Sequence, residues 1–409
     1  MIELKSRLFK QPTTIAFGEF VALMAVMTSL IALTIDAILP VMPLIGSALD
    51  VSDSNDLQWL IMAVFLGLSV GQLFYGPLSD YIGRKPAVYI GLSFFFVGSL
   101  VCLLAQDLTW MLAGRMLQGF GLAGPRSVSM AIVRDQYEGD QMAKVMSFVM
   151  AVFIVVPAMA PALGQAIAWL INWQSIFFMF VLLALGVGIW FAQRQPETLP
   201  PSRRAPFSAP FFIRSLKTLL SHPVVVGYTL AAACVSAPFV AYLSMSQQIF
   251  QIQYALHEYF PLVFAALALA IGCASVVNGK LVSRVGMGNM AMWAVRIQCV
   301  AAMVMLPLTI GYQGHPPFAL FIVYCVVTLF CVGILFGNLN AMAMTPVGHI
   351  AGLGAAVVGS LSTLVALPAS ALIGAFYNGT VMPLVMGFGV FSVVTWRLLS
   401  WVAKRSTPK

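Results

Sequence analysis

The chain has 409 residues, of which 61% are hydrophobic and only 8% are charged, and its mean hydropathy is +0.96. About a quarter of the residues in soluble domains are charged, so this composition excludes a soluble globular protein and predicts an integral membrane protein. The formal net charge of +8 would also suit a nucleic-acid-binding protein, and the positions of the basic residues distinguish the two.

The chain begins with a short basic stretch, MIELKSRLFKQPTT, followed by an apolar segment too long for a cleavable signal peptide. We predict that this segment stays in the bilayer as helix 1. A helix needs roughly 20 apolar residues to cross about 30 Å of hydrocarbon. The sequence therefore predicts an all-α membrane protein with twelve transmembrane helices, near 16–40, 57–78, 87–105, 109–133, 144–168, 175–193, 223–247, 259–281, 289–310, 317–341, 352–375 and 383–402.

Positive charge concentrates in the short cytoplasmic loops of membrane proteins. With both termini inside, all but three of the 21 Lys and Arg residues fall on the cytoplasmic side of the predicted topology. They are Lys5, Arg7, Lys10, Arg84, Lys85, Arg134, Lys144, Arg194, Arg203, Arg204, Arg214, Lys217, Lys280, Arg284, Arg397, Lys404, Arg405 and Lys409. The predicted outer loops instead carry the acidic residues Asp50, Asp53, Asp56, Asp107 and Glu258. The net charge is therefore a topology signal, and we predict no nucleic-acid partner.

The six cysteines, at 102, 234, 273, 299, 325 and 331, all lie in predicted helices, where we interpret them as small apolar packing residues. The four histidines, at 222, 257, 315 and 349, are isolated in loops and lack the spacing of a zinc site. We therefore predict no metal site and no cofactor.

A Pro- and Arg-rich segment at 193–223 is the longest gap between predicted spans. It predicts a cytoplasmic linker, 194–222, between an N-terminal six-helix half, 1–193, and a C-terminal six-helix half, 223–409. GPLSDYIGRKP follows predicted helix 2 and GKLVSRVGMGN follows predicted helix 8, with matching glycines 203 residues apart. Two halves repeated in parallel are typical of a secondary transporter whose site lies between them.

The stretch RMLQGFGLAGPR, at 115–126, has glycines at the G-x-G-x-x-G spacing of a dinucleotide loop. Such a loop follows a strand and opens a helix, whereas these glycines lie in the middle of predicted helix 4. We interpret them as residues that let a neighbouring helix approach closely, and we predict a kink at Pro125. The G-x-x-x-x-G-K-[ST] motif of ATP-driven pumps does not occur in the sequence.

Two motifs of the first half resemble those of the major facilitator superfamily. GPLSDYIGRKP is similar to the cytoplasmic loop motif G-x-L-[SA]-D-[RK]-x-G-R-[RK], except that Tyr81 replaces the usual base. Arg115 with Gln118 and Gly119 resembles the R-x-x-x-G motif of helix 4. At the cytoplasmic surface, Gly76, Asp80, Gly83, Arg84 and Lys85 are predicted to form a conformational gate that holds the two halves together in one conformation and releases them in the other. The alternative, a plain positive-inside anchor, explains Arg84 and Lys85 but not the spacing of the glycines and the aspartate.

Further segments resemble one branch of that superfamily, the Bcr/CflA-type drug:proton antiporters. AMAPALGQ, at 158–165, resembles the antiporter motif G-P-x-x-G, with Pro161 and Gly164 in place and Ala160 for the first glycine. IDAILPVMP, at 35–43, resembles the D-x-x-x-P-x-x-P pattern that ends helix 1. PETLPPSRR in the linker and NAMAM at 340–344 extend the likeness to the whole chain. It implies a bacterial inner-membrane protein with both termini in the cytoplasm.

A charge near the bilayer centre costs roughly 3 kcal/mol or more on insertion scales, so buried acids and bases mark transport paths. Asp36 and Arg115 have comparable predicted depths in the outer half of the membrane. We predict that Asp36 loads and releases a proton and that Arg115 tunes it. The alternative is a static ion pair that joins helices 1 and 4.

Arg126 follows Arg115 by eleven residues, close to three turns, so both side chains share one face of helix 4. Arg126 is therefore predicted to line the same cavity nearer the cytoplasm. It either contacts an anionic or carbonyl-rich substrate or neutralises Glu19, so both residues are candidates for the binding site. Arg296 is predicted to reach the inner membrane surface with its long side chain.

The leading hypothesis is a proton-coupled antiporter that exports small, partly hydrophobic compounds or drugs by alternating access. The alternative is an exporter of a polar or anionic metabolite or siderophore that uses Arg126. An enzyme is disfavoured because no paired His/Asp or Ser/His arrangement occurs at catalytic spacing. We expect a monomer in the lipid bilayer, with protons and a small-molecule substrate as its partners.

Overall fold

The computed structural model describes residues 15–204 and 209–406, without the side chains at 209–212, 215, 348–352 and 406. The basic residues Lys5, Arg7, Lys10 and Lys409 of the predicted topology lie outside this part of the chain, as does the side chain of His349. Over the described residues the fold is helical, without a β-strand. The long helices are α1 Phe17–Asp36, α2 Trp59–Ile82, α3 Arg84–Leu104, α4 Leu108–Gln136, α5 Gly139–Leu170, α6 Gln174–Arg194, α7 Pro223–Gln247, α8 Phe260–Val285, α9 Met287–Gly311, α10 Phe318–Met344, α11 Ala351–Ala375 and α12 Met382–Ser406.

Eleven helical segments of the described chain are long and apolar enough to cross a membrane. The exception among the long helices is α4, which has 29 residues but contains Arg115 and Arg126 and is less apolar than its neighbours. The described chain is thus all-helical, with the helix lengths and composition of a multi-pass membrane protein.

Several helices end differently from the sequence prediction. Helix α1 ends at Asp36 rather than near residue 40, and a 3-10 turn, Leu39–Val41, leads into the short helix Met42–Ala48. Pro40 and Pro43 cause this break because proline lacks the backbone N–H that helix continuation needs. By contrast, α4 continues through Pro125 to Gln136.

The segment interpreted as a linker contains a helix of its own, Ala209–Ser221. Its sequence, APFFIRSLKTLLS, combines apolar residues on one face with Arg214 and Lys217, so the pattern of an amphipathic helix is present. The linker was predicted from its proline and arginine content, and the prediction did not include this helix.

The glycines of α4 confirm the prediction of close helix packing. A Cβ atom at Gly119 would lie 2.0 Å from the Val64 carbonyl oxygen of α2, and one at Gly121 would lie 2.4 Å from the Phe95 amide nitrogen of α3. Only glycine allows backbones this near to each other. Helix α4 is therefore held tightly between α2 and α3.

The internal repeat is visible in the backbone. Gly83 joins α2 to α3 with a φ of +107°, and Gly286 joins α8 to α9 with a φ of +86°. Each glycine amide binds the carbonyl four residues earlier, at 3.2 Å for Ser79 and 2.8 Å for Val282. Positive φ favours glycine, so the repeat preserves a turn that other residues adopt poorly.

The two ends of the bundle differ in charge. We call the end that carries Arg84, Arg134 and Arg194 the basic end, and the opposite end, with Asp53 and Asp107, the acidic end. Helices α1–α6 form the first group in chain order and α7–α12 form the second. The groups meet through α2 and α11 and through α5 and α8.

Candidate functional site

A cavity of about 680 Å³ lies between the two helix groups and extends to the basic end. Thr28 of α1, Gln72 of α2 and Arg126 of α4 line it from the first group. Asn340 of α10 and the stretch from Leu353 to Gly359 of α11 line it from the second group. A cavity shared by two groups of helices changes shape when the groups move relative to each other.

Methionines form much of the apolar wall of this cavity. Met142, Met146 and Met150 lie four residues apart on α5, and Met130 and Met344 add to them from α4 and α10. The methionine side chain is flexible and polarisable, so such a wall adapts to apolar molecules of different shapes. The composition alone did not single out these residues.

Arg126 lines the cavity, as its position on α4 predicted, but Arg115 and Asp36, which were expected at the same cavity, are not among the described residues that line it. Within the residues that the structure describes, no ion pair or hydrogen bond engages its guanidinium group. An unpaired guanidinium beside an apolar wall is available to a carboxylate, phosphate or carbonyl group of a ligand.

Glu19 does not pair with Arg126, so this alternative for the two residues is wrong. Both Glu19 carboxylate oxygens accept hydrogen bonds from Arg194 of α6 at 2.6 Å, and Trp190 donates another at 3.1 Å. The physical reason is depth, since Glu19 is the third residue of α1 whereas Arg126 lies ten residues before the end of α4. Ten helical residues span about 15 Å.

Asp36 and Arg115 are both deeply buried, at 4% and 0% exposure, but they form no ion pair in the described part of the chain. Arg115 instead donates to the Thr34 carbonyl at 3.0 Å, the Leu60 carbonyl at 3.1 Å and Gln118 at 2.9 Å. The Thr34 carbonyl is free because α1 ends two residues later. Arg115 thus caps α1 beside Asp36.

The Asp36 carboxylate has no hydrogen-bond partner among residues 15–204 and 209–406. Tyr242 of α7 lies within electrostatic range of it, although sequence reasoning did not identify this residue. Tyr242 stacks with Phe239 and with Phe264. A carboxylate of the first helix group therefore lies near an aromatic cluster of the second.

The antiporter-like motif of α5 packs directly against the end of α1. Pro161 and Gly164 are both buried. A Cβ atom at Gly164 would lie 1.8 Å from the carbonyl oxygen of Ala37, the residue after Asp36. The glycine therefore fixes how closely α5 approaches the buried carboxylate.

The predicted gate residues cluster at the basic end. Arg84 binds Asp80 at 2.5 Å and Asp135 of α4 at 3.0 Å, and it also donates to Ser79 at 2.8 Å. Asp80 and Arg84 line the cavity together with Gly76. All these bonds lie within the first helix group, so in this conformation the cluster stabilises that group.

Lys85 has a different environment from Arg84. Its ammonium group donates to the Ala192 carbonyl at 3.0 Å and lies 6.0 Å from the centre of the Phe191 ring. These contacts tie α3 to α6. Lys85 is not among the described residues that line the cavity.

Glu197 is a residue that sequence reasoning missed. Its carboxylate accepts the backbone amides of Arg84 at 2.9 Å and Lys85 at 3.0 Å. These amides open α3, where unpaired N–H groups and the helix dipole favour an anion. The start of the linker is thereby fixed to the predicted gate.

Side-chain amides join the two helix groups at the acidic end. Gln58 donates to Gln248 at 2.8 Å, Gln248 donates to Asn55 at 2.9 Å, and Asn55 donates to the Tyr377 carbonyl at 3.0 Å. We call Asn55, Gln58 and Gln248 the amide cluster. Met62 of α2, Val240 of α7 and Leu367 of α11 form a buried apolar contact between the two helix groups. The bundle is therefore closed at the acidic end and separated by the cavity at the basic end.

Comparisons with known proteins agree with this architecture. Residues 24–370 match the sequence profile of the Major Facilitator Superfamily. An uncharacterised MFS-type transporter, YdgK, of Bacillus subtilis (strain 168) is 30% identical over 84% of this chain and 85% of its own length. The bicyclomycin resistance protein homolog of Haemophilus influenzae is 27% identical over 92% of this chain and 94% of its own.

Two further matches fit the same assignment. Multidrug resistance protein D of Escherichia coli (strain K12) is 26% identical over 83% of this chain and 85% of its own length. The crystal structure of the human organic anion transporter MFSD10 (TETRAN) has the same fold, with a TM-score of 0.66 and 16% identity, over 94% of this chain and 100% of that one. The chain belongs to the Major Facilitator Superfamily, a family of membrane transporters and not of enzymes.

Proposed function

We propose that the protein is a proton-coupled antiporter that exports small, partly hydrophobic compounds from the bacterial cytoplasm. The observation that carries this proposal is the cavity between the helix groups, which reaches the basic end and is closed by the amide cluster at the acidic end. The relatives named for bicyclomycin resistance and multidrug resistance support drug-like substrates. The methionine wall suits ligands of varied apolar shape.

The proposed architecture has twelve transmembrane helices in two six-helix halves, 1–193 and 223–409, joined by the linker 194–222. Helix α4 is the twelfth span in this proposal, because its 29 residues exceed the length that a bilayer requires. Its arginines are compatible with a span because both face the protein interior, where Arg115 is fully bonded to the ends of α1 and α2 except at Nη2.

The proposed orientation has the basic end and both termini in the cytoplasm of an inner-membrane protein. Arg84, Arg134 and Arg194 lie at helix ends on that side, as the positive-inside rule requires. The cavity then faces the cytoplasm and receives substrate there. In this proposal a single chain carries out the whole cycle, because both cavity walls come from one molecule.

Proton coupling is assigned to Asp36, with Arg115 as its regulator. An unpaired carboxylate in a buried position is costly when charged, so a proton or a new partner stabilises it. Arg115 of α4 has a buried Nη2 group without a partner among the described residues, and its Nη1 group binds the carbonyl of Thr34, two residues before Asp36 on α1. We infer that a shift of α1 lets Nη2 bind the deprotonated carboxylate after proton release.

Alternating access predicts that the amide cluster holds the inward-facing conformation. Gln248→Ala removes hydrogen bonds to Gln58 and Asn55, and each neutral bond contributes about 1 kcal/mol. We expect the equilibrium to shift by roughly 2 kcal/mol towards opening of the acidic end. Spin labels at the exposed positions Ala48 and Ala375, in a protein without the native cysteines, report the distance across that end.

The matched control is Gln253→Ala, because Gln253 donates to the Gly314 carbonyl at 3.1 Å within the second helix group. This variant should leave the distance distribution unchanged. An unchanged distribution in Gln248→Ala as well would remove the amide cluster from the gating role.

A second candidate function is export of a polar or anionic metabolite, and the unpaired Arg126 in the cavity favours it. Arg126→Ala should weaken binding of an anionic ligand by roughly 1 to 3 kcal/mol, the scale of a lost charge-assisted hydrogen bond. Binding of a hydrophobic cation should stay constant or improve. Calorimetry with one anionic and one cationic ligand on purified protein measures both effects.

Arg126→Lys serves as the matched control because it keeps the charge but loses the planar fork of the guanidinium group. We expect an intermediate affinity for the anion. Equal losses for anion and cation in Arg126→Ala would argue against substrate contact by Arg126.

Export itself is tested in cells that lack their own drug exporters. Cells that express the protein should accumulate less of a fluorescent substrate than cells without it, and a protonophore should abolish the difference. A difference that persists after the proton gradient has collapsed would contradict proton-coupled export.

A further inference from the structure

A second concave site lies outside the cavity between the helix groups. It is a groove of about 630 Å³ between α7 and α12, near the basic end. Its lining is apolar apart from one arginine, and consists of Val226, Gly227, Leu230, Val393, Val394, Arg397, Leu398 and Trp401. Leu230, Val393, Val394 and Trp401 are between 38% and 47% exposed. The groove shares no lining residue with the cavity.

The internal repeat provides a comparison for this groove. Arg397 of α12 corresponds to Arg194 of α6, which precedes it by 203 residues, the offset of the repeated glycines. Arg194 binds the Glu19 carboxylate of α1 through two hydrogen bonds of 2.6 Å. Trp190 donates to the same carboxylate at 3.1 Å. In the first half, the protein itself therefore provides the anionic partner of the arginine, the Glu19 carboxylate.

The second half lacks these partners. At the same offset, His222 stands in place of Glu19 and the smaller Val393 stands in place of Trp190. Neither a carboxylate nor any other described group forms an ion pair or hydrogen bond with Arg397. The groove therefore has an unpaired arginine and an apolar wall. At the position of Val393 in this wall, the first half has the larger Trp190.

We propose that this groove binds one anionic phospholipid from the leaflet at the basic end. The phosphate contacts Arg397, and an acyl chain lies along Leu230, Val393 and Val394. Basic pockets between transmembrane helices at the cytoplasmic side bind anionic headgroups. The apolar lining excludes a freely soluble anion as the main occupant, because such an anion gains nothing from seven apolar or glycine neighbours.

The depth of Arg397 fits a headgroup. Trp401 lies one turn further along α12, and the Arg405 guanidinium stacks 4.3 Å from its ring centre. Tryptophan is enriched at the membrane interface, so Trp401 marks the headgroup level. The long side chain of Arg397 reaches that level from about 6 Å deeper.

The experiment measures lipid retention by the full-length purified protein in detergent, by native mass spectrometry. Phosphatidylglycerol and phosphatidylcholine with identical acyl chains are added in parallel. The wild-type protein should bind phosphatidylglycerol preferentially. Arg397→Gln should reduce that binding about tenfold, the scale of one lost hydrogen bond to a charged group. Val394→Trp, which fills the groove but keeps the arginine, should also reduce it.

The matched control is Arg296→Gln, which removes another exposed arginine, on α9 and outside the groove. This variant should retain the lipid, and unchanged melting temperatures without lipid verify that all variants are folded. Equal losses in Arg397→Gln and Arg296→Gln would overturn the proposal. Equal retention of the two lipids by the wild type, or full displacement of phosphatidylglycerol by glycerol phosphate, would overturn it too.

Discussion

Asp36→Asn is expected to abolish proton-coupled export while the protein remains folded. Asparagine has nearly the shape of aspartate but cannot load or release a proton near neutral pH. No described group bonds to the Asp36 carboxylate, so the change leaves no partner unsatisfied. Removing an unpaired buried charge should leave the melting temperature unchanged or raise it.

Transport in inverted membrane vesicles measures this effect. A pH gradient of one unit supplies about 1.4 kcal/mol per proton, and 100 mV supplies about 2.3 kcal/mol. Wild-type vesicles should concentrate substrate when these gradients are imposed, and Asp36→Asn vesicles should not. Glu258→Gln is the matched control, because Glu258 is an exposed carboxylate whose loss should leave uptake intact. Uptake at the wild-type rate in Asp36→Asn would remove Asp36 from the coupling role.

Gly164→Ala is expected to impair both stability and transport. The added methyl group would lie 1.8 Å from the Ala37 carbonyl oxygen and 2.7 Å from its carbon. Both atoms belong to the backbone, so α5 and the end of α1 have to move apart. Overpacking of this kind costs about 1 to 3 kcal/mol. Because the displaced segment adjoins Asp36, transport should fall more than substrate binding.

Gly186→Ala provides the control for Gly164→Ala. No atom lies within 4 Å of a Cβ atom at Gly186 of α6, and alanine favours a helix more than glycine by about 1 kcal/mol. Its melting temperature should equal or exceed that of the wild type. A Gly164→Ala protein as stable and active as Gly186→Ala would contradict the close contact between α5 and α1.

Local sequence patterns predicted the features that depend on one helix at a time. Hydrophobic run length located the helices, and the glycines of α4 indicated close packing that Gly119 and Gly121 confirm. The position of Arg126 three turns from Arg115 predicted an arginine in the cavity. These properties follow from helical periodicity and membrane thickness alone.

Features that depend on contacts between distant segments could not be predicted from the sequence. The amide cluster joins Gln58 to Gln248, 190 residues apart. Amide side chains are neutral, so no pattern of opposite charges in the sequence indicates which of them will be partners. Pairing of Glu19 with Arg126 is one of two alternatives that the sequence leaves open, yet the helix ends place Arg194 opposite Glu19. The role of Glu197 could not be predicted because its partners are backbone amides, which every residue except proline possesses.

The central claim is that the protein couples substrate export to proton movement in the opposite direction. The most direct test uses purified protein in liposomes that contain a pH-sensitive dye, with no imposed pH gradient. A substrate gradient should drive protons the other way, so the internal pH changes only when substrate is present, and Asp36→Asn should show no change. Substrate movement at full rate without any proton movement would contradict the account.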